Sequence, residues 1–160
     1  MEKFTFFWSG TFSQWHPSPF QARDIWYNCA EQYMMAEKAR MFGDDKILEM
    51  IMSAIDPADQ KRYGRKVALF NLETWNKYAR ELVYAGSYAK FTQNEDMKEE
   101  LLATAGTTLV EASPEDTVWG IGLRKEDPRA QNRETWLGTN WLGEVLTRVR
   151  DDLIKETPHV

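Results

Sequence analysis

The pattern of apolar and polar positions predicts one long helix over residues 27–44. This stretch is rich in Ala, Met, Glu and Lys, which are good helix formers, and no residue breaks it before Gly43, where a C-terminal cap is expected. Asn28 fits an N-cap, and Glu31, three residues later, completes the pattern of a capping box. We therefore predict a single helix with an abrupt end, and Asp44 or Asp45 as the start of the next helix.

The same periodicities predict the other elements. Apolar residues at helical spacing indicate helices, alternation indicates strands, and Gly and Pro mark the loops between them. The predictions are strands at residues 3–8, 21–27 and 108–112; helices at 45–55, 57–64, 71–91 with an interruption at Gly86, 95–104 and 140–153; an aromatic-rich loop at 9–20, a glycine-rich turn at 116–123 and a mobile polar loop at 125–134. Together they predict one helix-rich α+β domain over residues 1–160 with a small β-sheet.

Glu31, Met35, Lys38 and Phe42 recur at spacings that place them along one face of the first helix. That face is otherwise apolar, and its carboxylate and amine are about two turns, or ~10 Å, apart along the axis. An ionisable group that faces a core is costly unless it is paired or used. The pattern leaves two interpretations open: structural ion pairs at the helix surface, or a carboxylate at the floor of a pocket.

Charge and aromatic content narrow the partners. The formal net charge of the 160-residue chain is -5, which argues against broad, sequence-independent nucleic-acid binding, since that requires a basic surface. Recognition of one nucleotide in a pocket is still compatible with this charge. The chain has 7 Trp, 6 Tyr and 8 Phe. Most of them are expected in the core, and some are available to stack on a base.

The supply of histidine and cysteine restricts the chemistry. Cys29 is the single cysteine and His16 and His159 are the two histidines, so we expect no zinc site built on these residue types. A Ser-His-Asp or Cys-His hydrolase would need His16. Catalysis is therefore expected to depend on Asp, Glu, Lys and Tyr, without a metal or a cofactor.

The sequence also predicts a location. A lone cysteine fits a reducing compartment, and no apolar run is long enough to span a bilayer. The first five residues lack the charged start and apolar run of a signal peptide. We expect a cytoplasmic protein with no membrane partner.

Seven blocks, taken in order, resemble one known family. They are Phe12–Phe20, Glu31–Ala39 with Phe42-Gly43-Asp44, Gly64-Arg65, Lys90–Asn94, Leu109–Ser113, Asp116–Gly122, and Gly138–Gly143 with Arg150. They span residues 12–150, and in this order they identify the chain as similar to the YbiA-like or NADAR (NAD- and ADP-ribose-associated) proteins. The departures are Gln14, where Asn is expected, and Trp141, at a position that varies in the family.

The resemblance implies a helix-rich α+β fold and hydrolysis of N-glycosidic bonds. Two substrate classes are implied. One is the phosphoribosylamino-pyrimidine intermediates of riboflavin synthesis, and the other is ADP-ribose attached to a nucleobase, notably guanine in DNA. The expected partner is a small nucleotide-like substrate, with ADP-ribosylated nucleic acid as a further candidate. The negative net charge favours the small metabolite over duplex DNA.

The family motif carries the catalytic carboxylate onto Glu31. Such a carboxylate stabilises the positive charge that develops on the ribose as the base leaves, or it activates the attacking water. Asp116 is implied as its partner, either holding ribose hydroxyls or donating a proton to the leaving base. Lys38 has two implied roles, binding the phosphate or reacting with the opened sugar as a Schiff base.

Other positions are implied to bind substrate. Trp119 and the adjacent Gly120 suit stacking on the base, although a tryptophan buried at a tight turn fits the same sequence. Asn140 fits a helix N-cap, and the N–H groups that it caps suit a phosphate equally well. Trp75 is implied by its place near the pocket. Arg65 and Lys90 are candidates for the anionic end of the substrate, with a surface charge as the alternative.

Two other classes of function remain alternatives. The first is a non-catalytic module that binds NAD or ADP-ribose, for which Glu31→Gln would leave affinity intact. The second is a structural domain whose aromatic residues all lie in the core, which would bind no nucleotide.

Overall fold

The computed structural model describes residues 1–157, so His159 lies outside the described residues. The chain divides into two compact units, one formed by Met1–Ser13 with Glu95–Val160 and the other by Gln14–Asn94. The elements are β1 (Phe4–Phe7), β2 (Phe20–Ala22), β3 (Ile25–Tyr27), α1 (Ala30–Met41), α2 (Asp45–Ser53), α3 (Pro57–Gly64), α4 (Leu72–Gln93), α5 (Glu95–Leu102), β4 (Thr108–Glu111) and α6 (Trp141–Glu156). The single domain predicted for residues 1–160 stays a prediction.

The helix ends in the Gln14–Asn94 unit follow local sequence signals. Gly43 adopts a left-handed φ of 70° after α1, a conformation that suits glycine because it has no Cβ. Asp44 then caps α2, with its carboxylate accepting from the N–H of Ile47 at 3.1 Å. Asp56 caps α3 in the same way, and Pro57 occupies the first helical position, where its missing N–H is not needed. These predicted boundaries are confirmed.

The start of α1 differs from the prediction. Cys29, in an extended conformation, is the N-cap, and its side chain makes no capping hydrogen bond. The Asn28 side chain instead donates to the carbonyl of Ile55 at 2.9 Å and accepts from Gln60 at 3.0 Å. The predicted capping box of Asn28 and Glu31 is therefore wrong, because Asn28 connects the chain to the end of α2 and to α3.

A buried amide network joins α1 to α2 and α3. Nε2 of Gln32 lies 3.2 Å from the carbonyl of Ile51, and its Oε1 accepts from the N–H of Asn28 at 2.8 Å. Nε2 of Gln60 donates to Ala54 at 2.9 Å, and its Oε1 accepts from the thiol of Cys29 at 3.2 Å. Both glutamines are buried, so these bonds offset the cost of removing polar groups from water.

Two other predictions for this unit are corrected. Residues 21–27 do not form one strand, because Arg23 and Asp24 both adopt positive φ and turn the chain into an antiparallel hairpin of β2 and β3. Gly86 does not interrupt α4, which runs unbroken past it. A Cβ at this position would overlap the ring of Tyr33, so glycine permits the close approach of α1 and α4.

In the other unit, β1 and β4 pair in parallel, with Phe4 opposite Thr108 and Phe7 opposite Glu111. The predicted apolar face of α6 is buried, and Thr147 on this helix accepts from the N–H of Leu109 on β4 at 2.9 Å. The residues of this face are Leu142, Val145, Leu146, Val149 and Leu153. The short sheet is thus held against one helix.

Residues 125–134, predicted as a polar loop, contain local structure, and their predicted mobility stays a prediction. They form 3-10 turns at Pro128–Gln131 and Arg133–Thr135, capped by the side chains of Asp127 and Asn132. Ala130 is buried in a cluster with Val110 and Ile121, which the polar sequence around it did not reveal.

Among residues 1–157, no helix is both long and apolar enough to cross a membrane.

Candidate functional site

Glu31 lies in the first turn of α1 as a buried carboxylate, with its side chain 6% exposed. Its backbone N–H donates to the carbonyl of Gln14 at 2.9 Å, so the preceding loop fixes where the helix begins. The N-terminal end of a helix favours a negative charge. A carboxylate so placed is available to stabilise positive charge on a bound sugar.

Lys38 lies two turns further along α1, and its amine is partly buried. Burial lowers the pKa of Lys38 from its ordinary value, the Glu31 carboxylate opposes this shift, and the Arg65 guanidinium adds to it. Glu31 and Arg65 are therefore each close enough to Lys38 to act on its amine electrostatically. The structure brings these three predicted site residues together.

The segment from residue 65 to residue 71 connects α3 to α4 and passes over the end of α1. Asp44 holds it, because the second oxygen of this carboxylate accepts from the N–H of Ala68 at 2.8 Å. Phe70 lies against Lys38, whose Nζ is 4.5 Å from the centroid of the ring. Arg65, on the same segment, is exposed, as expected for a residue that meets a ligand or solvent.

Lys90 is 1% exposed on the inner face of α4. Burial lowers its pKa to about 7, and the Cys29 thiol lies near enough to act on it. Burial also raises the pKa of Cys29 to about 11, with Glu31 and Lys90 as opposing electrostatic influences. The start of α1 and the end of α4 therefore meet around Cys29, and Lys90 is not the surface charge that the alternative interpretation described.

Trp75 is buried on the same inner face of α4, toward its N-terminus. Its place in the core of the unit is clear, while contact with a substrate stays a prediction.

In the unit that contains β1 and β4, the other predicted residues surround a turn at 116–122. Oδ1 of Asp116 accepts from the N–H groups of Val118 and Trp119 at 2.9 and 2.8 Å, which fixes the shape of the turn. The half-buried ring of Trp119 packs edge-on against Trp141, with ring centroids 5.5 Å apart. Gly120 is buried, and a Cβ there would lie 3.0 Å from the carbonyl of Asp116.

The Asn140 side chain does not cap α6. Its Oδ1 accepts from the N–H of Glu111 at 2.9 Å and its Nδ2 donates to the carbonyl of Leu109 at 3.0 Å, so it binds the backbone of β4. Asn140 thus occupies the predicted N-cap position of α6, but the predicted capping by its side chain is wrong. The N–H groups of Asn140, Trp141 and Leu142 donate to carbonyls of the 116–122 turn, so they do not form the phosphate cradle that we expected. Substrate binding by Asn140 stays a prediction.

Two kinds of residue were missed from the sequence. Gln32 and Gln60 position Cys29 and the start of α1. Gln32 could have been recognised from the sequence, because it is a polar residue next to Glu31 on a helix without a polar face. Phe70 lies beside Lys38 but belongs to none of the sequence blocks, and no periodic pattern predicts its position. An apolar Leu69-Phe70 pair in a polar connection was its available signal.

Within residues 1–157, no group of three or more His, Cys, Asp and Glu side chains is arranged to hold a metal ion.

A comparison with protein families decides where this chain belongs. The model of the NADAR domain matches residues 6–154, nearly the whole sequence. The chain belongs to the NADAR domain family. The resemblance identified from the sequence blocks is thereby confirmed.

Individual relatives agree with NADAR membership. Protein irg-1 of Caenorhabditis elegans is 39% identical over 158 residues, covering 89% of this chain and 74% of that protein. N-glycosidase R617 of Acanthamoeba polyphaga mimivirus is 40% identical over 146 residues, covering 88% of this chain and 86% of its own length. The NMR structure of the Escherichia coli protein YbiA matches with a TM-score of 0.79 at 28% identity, over 98% of this chain and 88% of YbiA. The predicted YbiA-like α+β fold is confirmed.

Proposed function

We propose that this NADAR protein is an N-glycosidase that hydrolyses the bond between a nitrogenous base and the ribose of a ribose 5-phosphate or ADP-ribose, with Glu31 as the catalytic carboxylate. The observation that carries the proposal is the buried Glu31 carboxylate in the first turn of α1, electrostatically coupled to the Lys38 amine. Buried, coupled ionisable groups concentrate at functional sites.

The predicted enzyme class, a hydrolase acting on N-glycosyl compounds, is confirmed by the relatives. The mimivirus protein is named an N-glycosidase, and this chain covers most of its length. That name favours catalysis over the alternative of a non-catalytic NAD- or ADP-ribose-binding module. A small nucleotide-like molecule is the substrate that fits this class.

The reaction breaks the C–N bond at the anomeric carbon. The electron pair of that bond leaves with the base, and a water oxygen forms the new bond to the same carbon. Glu31 stabilises the positive charge on the ribose or takes a proton from the water, and the leaving base gains a proton. Both roles require the ionised carboxylate of Glu31.

We assign phosphate binding to Lys38 and Arg65. The Arg65 guanidinium acts on the Lys38 amine electrostatically, although the two residues lie on different elements, α1 and the segment that follows α3. Two positive charges that converge from different elements suit an anionic group such as a phosphate. A Schiff base at Lys38 is the second role that its chemistry permits.

The remaining predicted residues are proposed to serve the same reaction. Asp116 holds ribose hydroxyls or protonates the base, and Trp119 stacks on the base beside Gly120. Asn140, Trp75 and Lys90 are proposed to contact or surround the substrate. We further propose a cytoplasmic protein for which ADP-ribosylated nucleic acid is a second candidate substrate.

The test is a product assay on two substrates in parallel. One is the phosphoribosylamino-pyrimidine intermediate, and the other is single-stranded DNA that carries guanine-linked ADP-ribose. Wild type is expected to release ribose 5-phosphate from the first or ADP-ribose from the second. Glu31→Gln is expected to reduce turnover by roughly 10²- to 10⁴-fold, because the amide neither carries a charge nor accepts a proton.

The matched control is Glu49→Gln, which makes the same change at an exposed position on α2 and should leave turnover unchanged. Thermal melts of all three proteins show whether folding is preserved. Full turnover by a folded Glu31→Gln protein would remove Glu31 from the mechanism. Ligand binding by wild type with no product from either substrate would return the binding-module alternative.

A further inference from the structure

Phe70 is the aromatic side chain in contact with the Lys38 amine, and none of the sequence blocks contains it. Nζ of Lys38 lies 4.5 Å from the centroid of the Phe70 ring, within the range of a cation–π interaction. Phe42, at the end of α1, packs edge-on against the same ring, with centroids 5.3 Å apart and planes at 73°. The ring is therefore braced by one side chain while it contacts another.

The backbone that leads to Phe70 is anchored at Val67 and Ala68 and has an unfavourable conformation at Leu69. Val67 is buried, and the N–H of Ala68 donates to Asp44, whose other oxygen caps α2. Leu69 then adopts a left-handed φ of 58° although its side chain is 87% exposed and gains little from burial. A leucine in this region is unfavourable, so the conformation persists because its neighbours fix it.

The strain at Leu69 has a consequence for the next residue. The left-handed turn directs the chain so that Phe70 reaches the Lys38 amine, while Phe70 itself stays 39% exposed. An aromatic ring that were only a core residue would be more fully buried. The arrangement is that of a side chain placed against a charged group at the edge of a site.

We infer that Phe70 is a positioning residue for Lys38, holding the ammonium group against its ring face. The inference rests on the proposed function, because that function assigns binding of the substrate phosphate to Lys38. Because the contact uses the π face, a tyrosine at position 70 retains it and a leucine of similar bulk does not.

The first experiment observes the contact without any turnover. In protein labelled with ¹³C at the lysine side chains, the ring current of Phe70 shifts the ε-methylene protons of Lys38 upfield. Phe70→Leu is expected to return this signal to the ordinary lysine position, and Phe70→Tyr to preserve it. An unchanged Lys38 signal in Phe70→Leu would overturn the inference.

A matched control is present on α4. Nζ of Lys77 lies 5.4 Å from the ring centroid of Tyr78, an exposed pair of the same kind. Tyr78→Leu is expected to shift the Lys77 signal and to leave Lys38 and turnover unchanged. The Lys38 signal itself is identified as the one that disappears in Lys38→Met.

The second experiment asks whether Phe70 acts through Lys38. We expect Phe70→Leu to lower kcat/KM roughly 2- to 30-fold and Phe70→Tyr to stay within about 2-fold of wild type. In a Lys38→Met background, Phe70→Leu should have no further effect, which a double-mutant cycle measures. Equal effects of Phe70→Leu in both backgrounds would mean that Phe70 meets the substrate directly, and the positioning role would be wrong.

The same double-mutant cycle is then measured on the affinity for ribose 5-phosphate, because a binding measurement does not require turnover. If wild type cleaves neither substrate, the proposed function fails, while the lysine spectrum and the ribose 5-phosphate cycle still decide the role of Phe70. Normal affinity and normal kcat/KM in Phe70→Leu would overturn the positioning role even if the Lys38 signal moves as expected.

Discussion

Around α1, the candidate site contains ionisable side chains that are buried, as in Glu31 and Lys90, or partly buried, as in Lys38, whereas around the 116–122 turn the polar side chains are bonded to backbone groups. Glu31, Lys38 and Lys90 lie in a low-dielectric setting that shifts the pKa of both lysines downward. Asp116 and Asn140 instead satisfy N–H and carbonyl groups of the turn and of β4. The first region holds titratable groups where burial disfavours the charged form of both lysines, and the second uses polarity to fix backbone shape.

The largest effect is expected from Asn140→Ala, which tests the structural half of the contrast. It leaves the N–H of Glu111 and the carbonyl of Leu109 without their partner and places alanine at a φ of 54°. We expect a loss of about 2–4 kcal/mol in the free energy of unfolding, measured by urea denaturation. Asn140→Gly relieves only the backbone strain and should recover about 1 kcal/mol of this. A change below about 0.5 kcal/mol, on the order of a surface substitution, would contradict the assigned role.

The buried Lys90 of the α1 region should make the free energy of unfolding depend on pH. Its pKa is about 7 in the folded protein, against an ordinary value of 10.5, so above pH 7 the unfolded chain binds more protons at this site and stability rises with pH. The window ends near pH 9, the ordinary pKa of the Cys29 thiol, because the unfolded chain loses this proton there while burial raises the pKa to about 11 in the folded protein. The slope is at most about 1.4 kcal/mol per pH unit.

The measurement is a set of unfolding curves from pH 7 to pH 9. Lys90→Met is expected to remove most of this dependence of stability on pH. Lys77→Met changes an exposed lysine on the same helix and should leave the dependence unchanged. A wild-type stability that falls over this window would show that Lys90 is charged and well compensated in the folded state.

Substitutions of Asp116 are expected to give the smallest of these effects. They separate the role of this side chain in holding the 116–122 turn from the role of its negative charge. Asp116→Asn keeps an oxygen that accepts from Val118 and Trp119, so its stability should lie within about 0.5 kcal/mol of wild type. Asp116→Ala loses both bonds and should be destabilised by about 1–2 kcal/mol. Product assays on Asp116→Asn then report on the carboxylate charge alone. Equal destabilisation by both substitutions would mean that the charge, and not the two bonds, holds the turn.

The elements with local signals were predictable, and those that depend on distant neighbours were not. Asp44, Asp56 and the apolar face of α6 were predicted correctly because caps and periodicity act within a few residues. The continuity of α4 through Gly86 depends on the ring of Tyr33, and the role of Asn140 depends on β4. No local pattern contains that information.

The site shows the same division. The sequence blocks carried Glu31 and Lys38, and the structure places them together with Arg65. Phe70 was missed because its contact with Lys38 arises from a tether to Asp44 and a left-handed Leu69, which are features of tertiary structure.

The pairing of β1 with β4 implies an order of events during synthesis. β1 leaves the ribosome first, yet Phe4 has its partner in Thr108, so the strand stays unpaired while the intervening chain is made. The unit from Gln14 to Asn94 is continuous in sequence and has all its own residues by then. A chain released from the ribosome before residue 108 is therefore expected to protect the Gln14–Asn94 unit from protease, with the first strand still accessible.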